Sequence, residues 1–421
     1  MKAVLIAATL SCFGLRAETP ITLAEVREMA VSRNPSIETA RRKLAEADAR
    51  IGQAKAAYHP QFGFSGLAKA GLTGAMNIVN PFGLANSPGI RNVAAGFYGR
   101  YDVLDFGRRE HKLAFERKRK EVLEAEFAVV RAAVLRDAEM AYFELLRARR
   151  MFEVAGSLMA SQESIVRQAT AFYEAQIRSR LDVDLARVAL ATAQIERLKA
   201  RNQLQNANAE LGRLLSSAQD ADYVPTEAGA TFAGMQPLPA LVQEALANRP
   251  EMLAIQAELG AAAERVAAAK SERKPSFSLG AAGGFARLPN ELAGQLVAIG
   301  LGLNVPVFSG GRLEGMIQEA EATLSVYESR KKELEQKIES DVRRASAKLE
   351  AAHASIAAIG IQADAARNAS RLARERYRAQ LGSAVEVNAA QAELVKATSG
   401  EAEAVLEERI AYTALHFALG R

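Results

Sequence analysis

The chain has 421 residues, 49% of them apolar and 24% charged, with 54 Lys and Arg set against 49 Asp and Glu for a formal charge of +5. That balance excludes a disordered chain and describes a solvated helical surface better than a nucleic-acid binder. Trp is absent and aromatics are sparse, so Ala and charged residues dominate long stretches and favour helix.

The first residues, "MKAVLIAATLSCFGLRAET", read as an export leader. Lys2 is a short basic start, Ala3 to Leu15 an apolar core, and Leu15-Arg16-Ala17 a cleavage site before Glu18. The core is too short to span a bilayer as a helix; a buried N-terminal strand is the alternative. Cys12, the one cysteine, lies inside this segment, and "TLSC" is a poor lipoprotein signal. Cleavage after Ala17 leaves a mature chain with no thiol. No later stretch is long and apolar enough for a membrane helix, whereas strands that alternate remain able to cross as a barrel.

From residue 18 the chain is written twice. A helical segment from Ser36 meets Pro60 and gives way to the alternating "QFGFSG", just as a helix before Pro275 gives way to "SFSLGA". Pro35 to Pro60 and Pro250 to Pro275 are both 25 residues apart. The strand-to-helix junctions "YDVLDFGRRE" (101–110) and "LNVPVFSGGRLEG" (303–315) correspond, as do "FYEAQIRSRLDVDLARVAL" (172–190) and "RYRAQLGSAVEVNAAQAEL" (376–394). The offsets are 215, 202 and 204. The first repeat covers 18–215, with a β-hairpin at 61–105, a long helix at 108–176 and a helix at 182–215. A loop-rich linker follows at 216–239. The second repeat covers 240–421, with a hairpin at 276–307, a long helix at 312–380 and a helix at 385–419.

Each long helix would be on the order of 100 Å. Val122, Phe127, Val130, Val134, Tyr142 and Leu146 recur at three- and four-residue steps, but no strict heptad is visible, which disfavours a simple coiled coil. In the strands, Val93, Ala95, Phe97, Gly99, Tyr101 and Val103 share one face, and Gly96, Tyr98, Arg100 and Asp102 the other. Val297, Ile299, Leu301, Leu303 and Val305 oppose Gly300, Gly302 and Asn304. Phe277, Leu279, Ala281, Gly283 and Phe285 oppose Ser276 and Ser278. Each strand is near the length needed to cross a bilayer at a tilt. A soluble sheet with one buried face is the alternative, yet no nearby helix is free to cover it. Several chains pooling their strands into a closed barrel would remove the open edges.

These paired junctions and paired helix breaks resemble the TolC family of outer-membrane efflux proteins, over about residues 20–420. The resemblance implies a mainly α chain with a membrane β-barrel: a homotrimer with a shared twelve-stranded β-barrel, four strands per chain, and a periplasmic α-helical tunnel. It implies an exit duct in the cell outer membrane, not an enzyme, serving tripartite efflux or type I secretion. The partners implied are outer-membrane lipid, a periplasmic adaptor (membrane fusion) protein and an inner-membrane transporter of the RND or ABC type. No cofactor and no nucleic acid are implied. Phe62, Phe64, Phe97, Tyr101, Phe277 and Phe285 would face lipid.

In that family the helix breaks form the periplasmic aperture, which maps onto Asp182 and Asp184 and onto Glu386 and Asn388. A trimer would ring the mouth with six carboxylates from Asp182 and Glu386, raising one another's pKa and attracting cations. The alternative is a polar turn with Arg178 paired to Asp182. The second repeat departs from the family pattern, with Ala389 where an acid often stands. The residues before the breaks, Gln176, Ile177 and Arg178 with Gln380, Leu381 and Gly382, match the adaptor-contact groove. Family members usually carry Gly where this chain has Gln176 and Gln380, a departure that bears on how an adaptor docks there.

Other signals are slight. His59, His111, His353 and His416 lack metal-ligand spacing, and acids interleave the basic residues of "ERKRKE" (116–121). There is no P-loop, GxSxG or Rossmann glycine pattern. A periplasmic coiled-coil scaffold or adaptor without its own pore is the rival reading, and membrane fractionation separates the two.

Overall fold

The computed structural model describes residues 18–70, 91–217, 222–226, 234, 236–287 and 294–421. The leader expected at 1–17, with Cys12, lies outside them, as does much of the 216–239 linker. The first repeat contains β1 (Glu18–Ile21), α1 (Leu23–Arg33), α2 (Pro35–Ala56), β2 (Gln61–Ala70), β3 (Arg91–Leu104), α3 (Arg108–Glu174) and α4 (Arg180–Leu214). After β4 (Asp222–Pro225) come α5 (Leu238–Asn248), α6 (Pro250–Ser271), β5 (Ser276–Arg287), β6 (Gly294–Asn304), α7 (Arg312–Arg378) and α8 (Ala384–Ala418). The two longest helices have 67 residues each. No helix among the described residues is long and apolar enough to cross a membrane.

The chain forms two compact units, each drawing on both repeats. Unit one takes the described residues up to Thr39, Ala128–Arg249 and Gln336–Arg421. Helix α1 starts with a capping box: the Glu25 amide donates to Thr22 Oγ1 at 3.2 Å, and the Thr22 amide to Glu25 Oε2 at 2.8 Å. That arrangement satisfies two orphan helix donors at once. A two-stranded parallel sheet, β1 with β4, sets Glu18 opposite Asp222 and Ile21 opposite Pro225. Its short strands gave no period-2 signal and were not expected from sequence.

Within unit one, the residue before each helix-initiating proline bonds to the end of its own repeat. Asn34 Nδ2 donates to the Leu214 carbonyl at 3.3 Å, and Arg249 Nε to the Ala418 carbonyl at 2.8 Å. Pro suits the first helical position because its missing N–H is an orphan there anyway. Arg249 is buried, also meets Asp341 Oδ2 at 3.4 Å, and lies 5.9 Å from the Phe417 ring centroid.

The helices of unit one carry short stretches of heptad spacing, within the sequence expectation that no strict heptad persists along a whole helix. Buried alanines recur at sevens: Ala141, Ala148 and Ala155; Ala186, Ala193 and Ala200; Ala397, Ala404 and Ala411. Alanine hides the repeat because it is also the commonest filler of exposed helix positions. At a seam it lets helix backbones approach closely, where Leu would hold them apart.

Unit two consists of Ala40–Phe127 and Pro250–Glu335. Val266, Ala269 and Ala320 form a small helical core with Ile317 and Leu324 against it. Its sheet is fully antiparallel in the order β2-β3-β5-β6. The central pairing therefore joins the two repeats. A register shift between Asp102 and Leu104 puts Leu104, rather than Val103, opposite Phe277. This bulge corrects the expectation that Val103 continues the face of Tyr101.

Candidate functional site

Two features could act: the helix breaks of unit one and the sheet of unit two. Each break is a Schellman turn. After α3, the Ile177 amide donates to Phe172 O and the Gln176 amide to Tyr173 O, both at 2.9 Å. After α7, Leu381 donates to Arg376 O at 2.8 Å and Gln380 to Tyr377 O at 3.1 Å. Gln176 and Gln380 hold the left-handed position, with φ of 55° and 65°. The departure from glycine therefore leaves the turn intact, at the strain an L side chain carries there. Ile177 and Leu381 follow as exposed apolar residues at equivalent places.

Arg178 links the two turns. Its Nη2 donates to the Gly382 carbonyl at 2.7 Å and to the Gln380 carbonyl at 3.4 Å. Its guanidinium stands 5.6 Å from the Tyr377 ring centroid. The pairing of Arg178 with Asp182 considered from sequence is thus displaced by a contact 204 residues away. Beneath lies a core of Ile165, Ala169, Val183, Ala186, Tyr377, Ala384 and Val387, with Phe172 against it. The Phe172 and Tyr377 rings are 5.7 Å apart. Tyr377 is 1% exposed, and its hydroxyl has no hydrogen-bond partner. Burial pushes that phenol up, Asp182 pushes it the same way and Arg178 opposes.

Of the predicted aperture residues, Asp182 and Glu386 lie in the first turns of α4 and α8, and Asp184 and Asn388 follow in the next turn. Asp182 is half-buried near Tyr377. Asp184 is exposed, 3.8 Å from Arg180 and 3.9 Å from Arg187. The Glu386 amide is capped by Ser383 Oγ at 3.2 Å, and its carboxylate is 3.9 Å from Arg376. Asn388 Oδ1 is buried without a partner. Gly382 admits no side chain easily, because a Cβ there would lie 3.0 Å from Glu386 Oε2 and 3.3 Å from the Tyr377 amide. The bridging role of Arg178 and the buried Tyr377 were both missed in sequence. A signal existed: Arg178 aligns with Gly382, a large cation against a residue with no side chain.

In the sheet, register sorts the side chains into two faces. Phe62 opposes Gly99, Phe64 opposes Phe97, Tyr101 opposes Leu279, and Ala95 opposes Phe285. Leu279, Ala281 and Gly283 in turn oppose Leu301, Ile299 and Val297. Phe62 is 82% exposed, and Phe64, Phe97, Phe285, Val297, Ile299, Leu301 and Leu303 are exposed with it. Tyr101 and Phe277 share this face but are half-buried. The Phe64 and Phe97 rings pack 5.1 Å apart. The opposite face carries Gly63, Ser65, Gly96, Tyr98, Arg100, Asp102, Ser278, Gly280, Ala282, Gly284, Ala298, Gly300, Gly302 and Asn304. Aromatic rings cover glycines across the hairpin: a Cβ on Gly63 would lie 2.5 Å from the Tyr98 ring, and one on Gly99 2.9 Å from the Phe62 ring.

An exposed apolar face this broad marks a surface that meets a membrane or another chain. Among the described residues no group of three His, Cys, Asp or Glu could hold a metal ion.

Long helices and an antiparallel sheet with an exposed apolar face are the elements of an outer-membrane channel fold. Solved channels share it: OprN superposes with a TM-score of 0.80 at 19% identity, covering 94% of this chain and 89% of that one. VceC from Vibrio cholerae superposes at 0.79 and 21% identity, covering 94% and 96%. The family model described as outer membrane efflux protein matches residues 26–217 and 241–421, and the chain belongs to that family. Its members are non-enzymatic outer-membrane proteins. The outer membrane efflux protein BepC of Brucella suis biovar 1 is 26% identical over 237 residues, covering 53% of this chain and 49% of that protein. The toluene efflux pump outer membrane protein TtgF of Pseudomonas putida is 32% identical over 195 residues, covering 44% and 39%. The chain thus spans about half the length, or less, of these curated relatives.

Proposed function

We propose that this protein is the outer-membrane exit duct of a tripartite efflux or secretion system. Three copies join their sheets into one closed barrel of twelve strands, and their helices form a periplasmic tunnel. The observation that carries this reading is the open four-stranded sheet: β2 and β6 are its edges, and its apolar face is exposed. A bilayer would leave the unpaired edge N–H and C=O groups without water, so only closure satisfies them. Phe62, Phe64, Phe97, Tyr101, Phe277 and Phe285 then face lipid.

In this reading the paired turns of unit one are the periplasmic mouth. Asp182, Asp184, Glu386 and Asn388 line it. Gln176, Ile177 and Arg178 with Gln380, Leu381 and Gly382 meet the hairpin tip of a periplasmic adaptor. The exposure of Ile177 and Leu381 at equivalent positions supports that contact. An inner-membrane transporter delivers the substrate and supplies the energy. TtgF is described as part of a toluene pump; for this chain the transporter selects the cargo.

The test is the native mass of protein extracted with detergent from the outer-membrane fraction. A detergent-dependent assembly of three chains, each 45.2 kDa before any leader is removed, is the expected result. A soluble monomer or dimer found without detergent would replace the duct with a periplasmic scaffold.

A further inference from the structure

The inner face of the proposed barrel wall is almost bare. Glycine, alanine and serine occupy most of it, a surface that offers solutes little charge or grip. Among the side chains described on this face, Arg100 and Asp102 are the charged pair. They sit two residues apart on β3, so both point the same way. Arg100 Nε and Nη2 each lie 3.3 Å from Asp102 Oδ1. The Arg100 side chain is 66% exposed and that of Asp102 29%, so the arginine is the more solvent-facing of the two.

The register clears the space around it. Arg100 opposes Gly280, and Gly280 opposes Gly300. Neither strand sets a side chain directly opposite Arg100, its diagonal neighbours on β5 are the small Ser278 and Ala282, and a Cβ on Gly300 would meet nothing within 4 Å. Toward the other edge Arg100 opposes Gln61, the first residue of β2. The charge therefore stands where the chain passes between helix and sheet.

We propose that Arg100 is a selectivity residue of the duct: three guanidinium groups, one per chain, form a basic collar inside the passage that favours anionic solutes over cationic ones. Asp102 orients the guanidinium and tempers its charge. An exposed pair of this kind gains little stability from its own contact, so its effect is on the field in the lumen, where rings of charge set ion preference. The inference rests on the barrel reading of the preceding section.

The experiment places a thiol in the collar. Gly300→Cys, in a Cys12→Ser background, is exposed to small methanethiosulfonate reagents of opposite charge, and the anionic-to-cationic ratio of modification rates is measured. Gly300 is two strand spacings, about 10 Å, from Arg100. At that distance in water, one positive charge changes the ratio about fourfold, and less as salt screens it. Arg100→Gln should therefore lower the ratio about fourfold at low ionic strength, Arg100→Lys should retain most of it, and Asp102→Asn should raise it. An unchanged ratio in Arg100→Gln, with Gly300→Cys readily modified, overturns the collar and leaves the barrel intact. A Gly300→Cys that resists both reagents while Ile299→Cys accepts them reverses the two faces and overturns both.

Discussion

Arg178 donates to the Gly382 carbonyl at 2.7 Å, and Gly382 is the residue that takes the place of Arg178 in the second repeat. A side chain present in one copy thus fills a gap left by its absence in the other. Removing it with Arg178→Ala gives up a charge-assisted hydrogen bond of about 1.5 kcal/mol or more. Hydrogen exchange at Leu381 and Gly382 should quicken about tenfold. Arg178→Lys should recover only part, because a single ammonium matches the paired carbonyls of Gln380 and Gly382 poorly. Unaltered exchange in Arg178→Ala would show that the turns stand without the link.

Gln176 and Gln380 occupy left-handed positions that cost an L residue roughly 1–2 kcal/mol. Gln176→Gly and Gln380→Gly should each relieve about 1 kcal/mol and slow proteolysis at the turn. Faster cleavage in both variants would mean that the glutamine side chains hold the turn by contacts stronger than the strain.

The proposed mouth makes a separate prediction. Asp182→Ala combined with Glu386→Ala should raise single-channel conductance and weaken block by multivalent cations, since six carboxylates would be lost from the trimer. Unchanged conductance and block would remove these acids from the aperture.

Arg249 is buried, and its guanidinium serves both the Ala418 carbonyl and Asp341. Arg249→Ala leaves that carbonyl without its donor and should destabilise unit one by about 2–4 kcal/mol, seen as a lower thermal midpoint of the helical signal. Asp341 keeps Arg344 at 2.6 Å, so the loss should stay below that of a fully orphaned carboxylate. A midpoint within a degree of wild type would contradict this role.

His416 packs 4.3 Å from the Tyr412 ring and is pushed below its ordinary value of 6.5, first by burial and then by Arg421. Arg27 acts in the same direction, while Glu139 and Glu244 oppose. Below about pH 6.5 the unfolded chain binds a proton that the folded one refuses, so stability falls as pH drops through that window toward the folded pKa. His416→Gln should flatten the pH dependence of melting between pH 7 and 5. An identical slope in the variant would assign the effect to other groups.

Much of the fold was legible because the chain repeats itself. Pro35, Pro60, Pro250 and Pro275 mark helix starts and helix-to-strand junctions wherever they stand, so their spacing survives divergence. The two faces of β3 and β6 were readable from alternation alone, except at the Asp102–Leu104 bulge, which no local residue announces. The β1–β4 sheet was hidden because four-residue strands carry no period. The alanine seams were hidden because burial and helix propensity select the same residue. At the helix breaks, the matching places of Asp182 and Glu386 in the first turns of α4 and α8 followed from the alignment of the repeats. The Arg178 link did not, since sequence offers no measure of which turn lies within reach.

The pairing of β3 with β5 has one more consequence. Within the proposed barrel, the step from β6 to β2 of the next chain repeats the step from β3 to β5. By the repeat offsets, Tyr101 opposite Leu279 becomes Leu303 opposite Phe64 of that neighbour. The wall is then six hairpins in near-sixfold order whose members alternate in character. Where one hairpin carries Arg100 and Asp102, the next carries Gly302 and Asn304. A single hairpin used six times would have to place charge everywhere or nowhere. Duplication followed by divergence frees every second stave to stay smooth, so the passage can carry a charged ring and still remain wide.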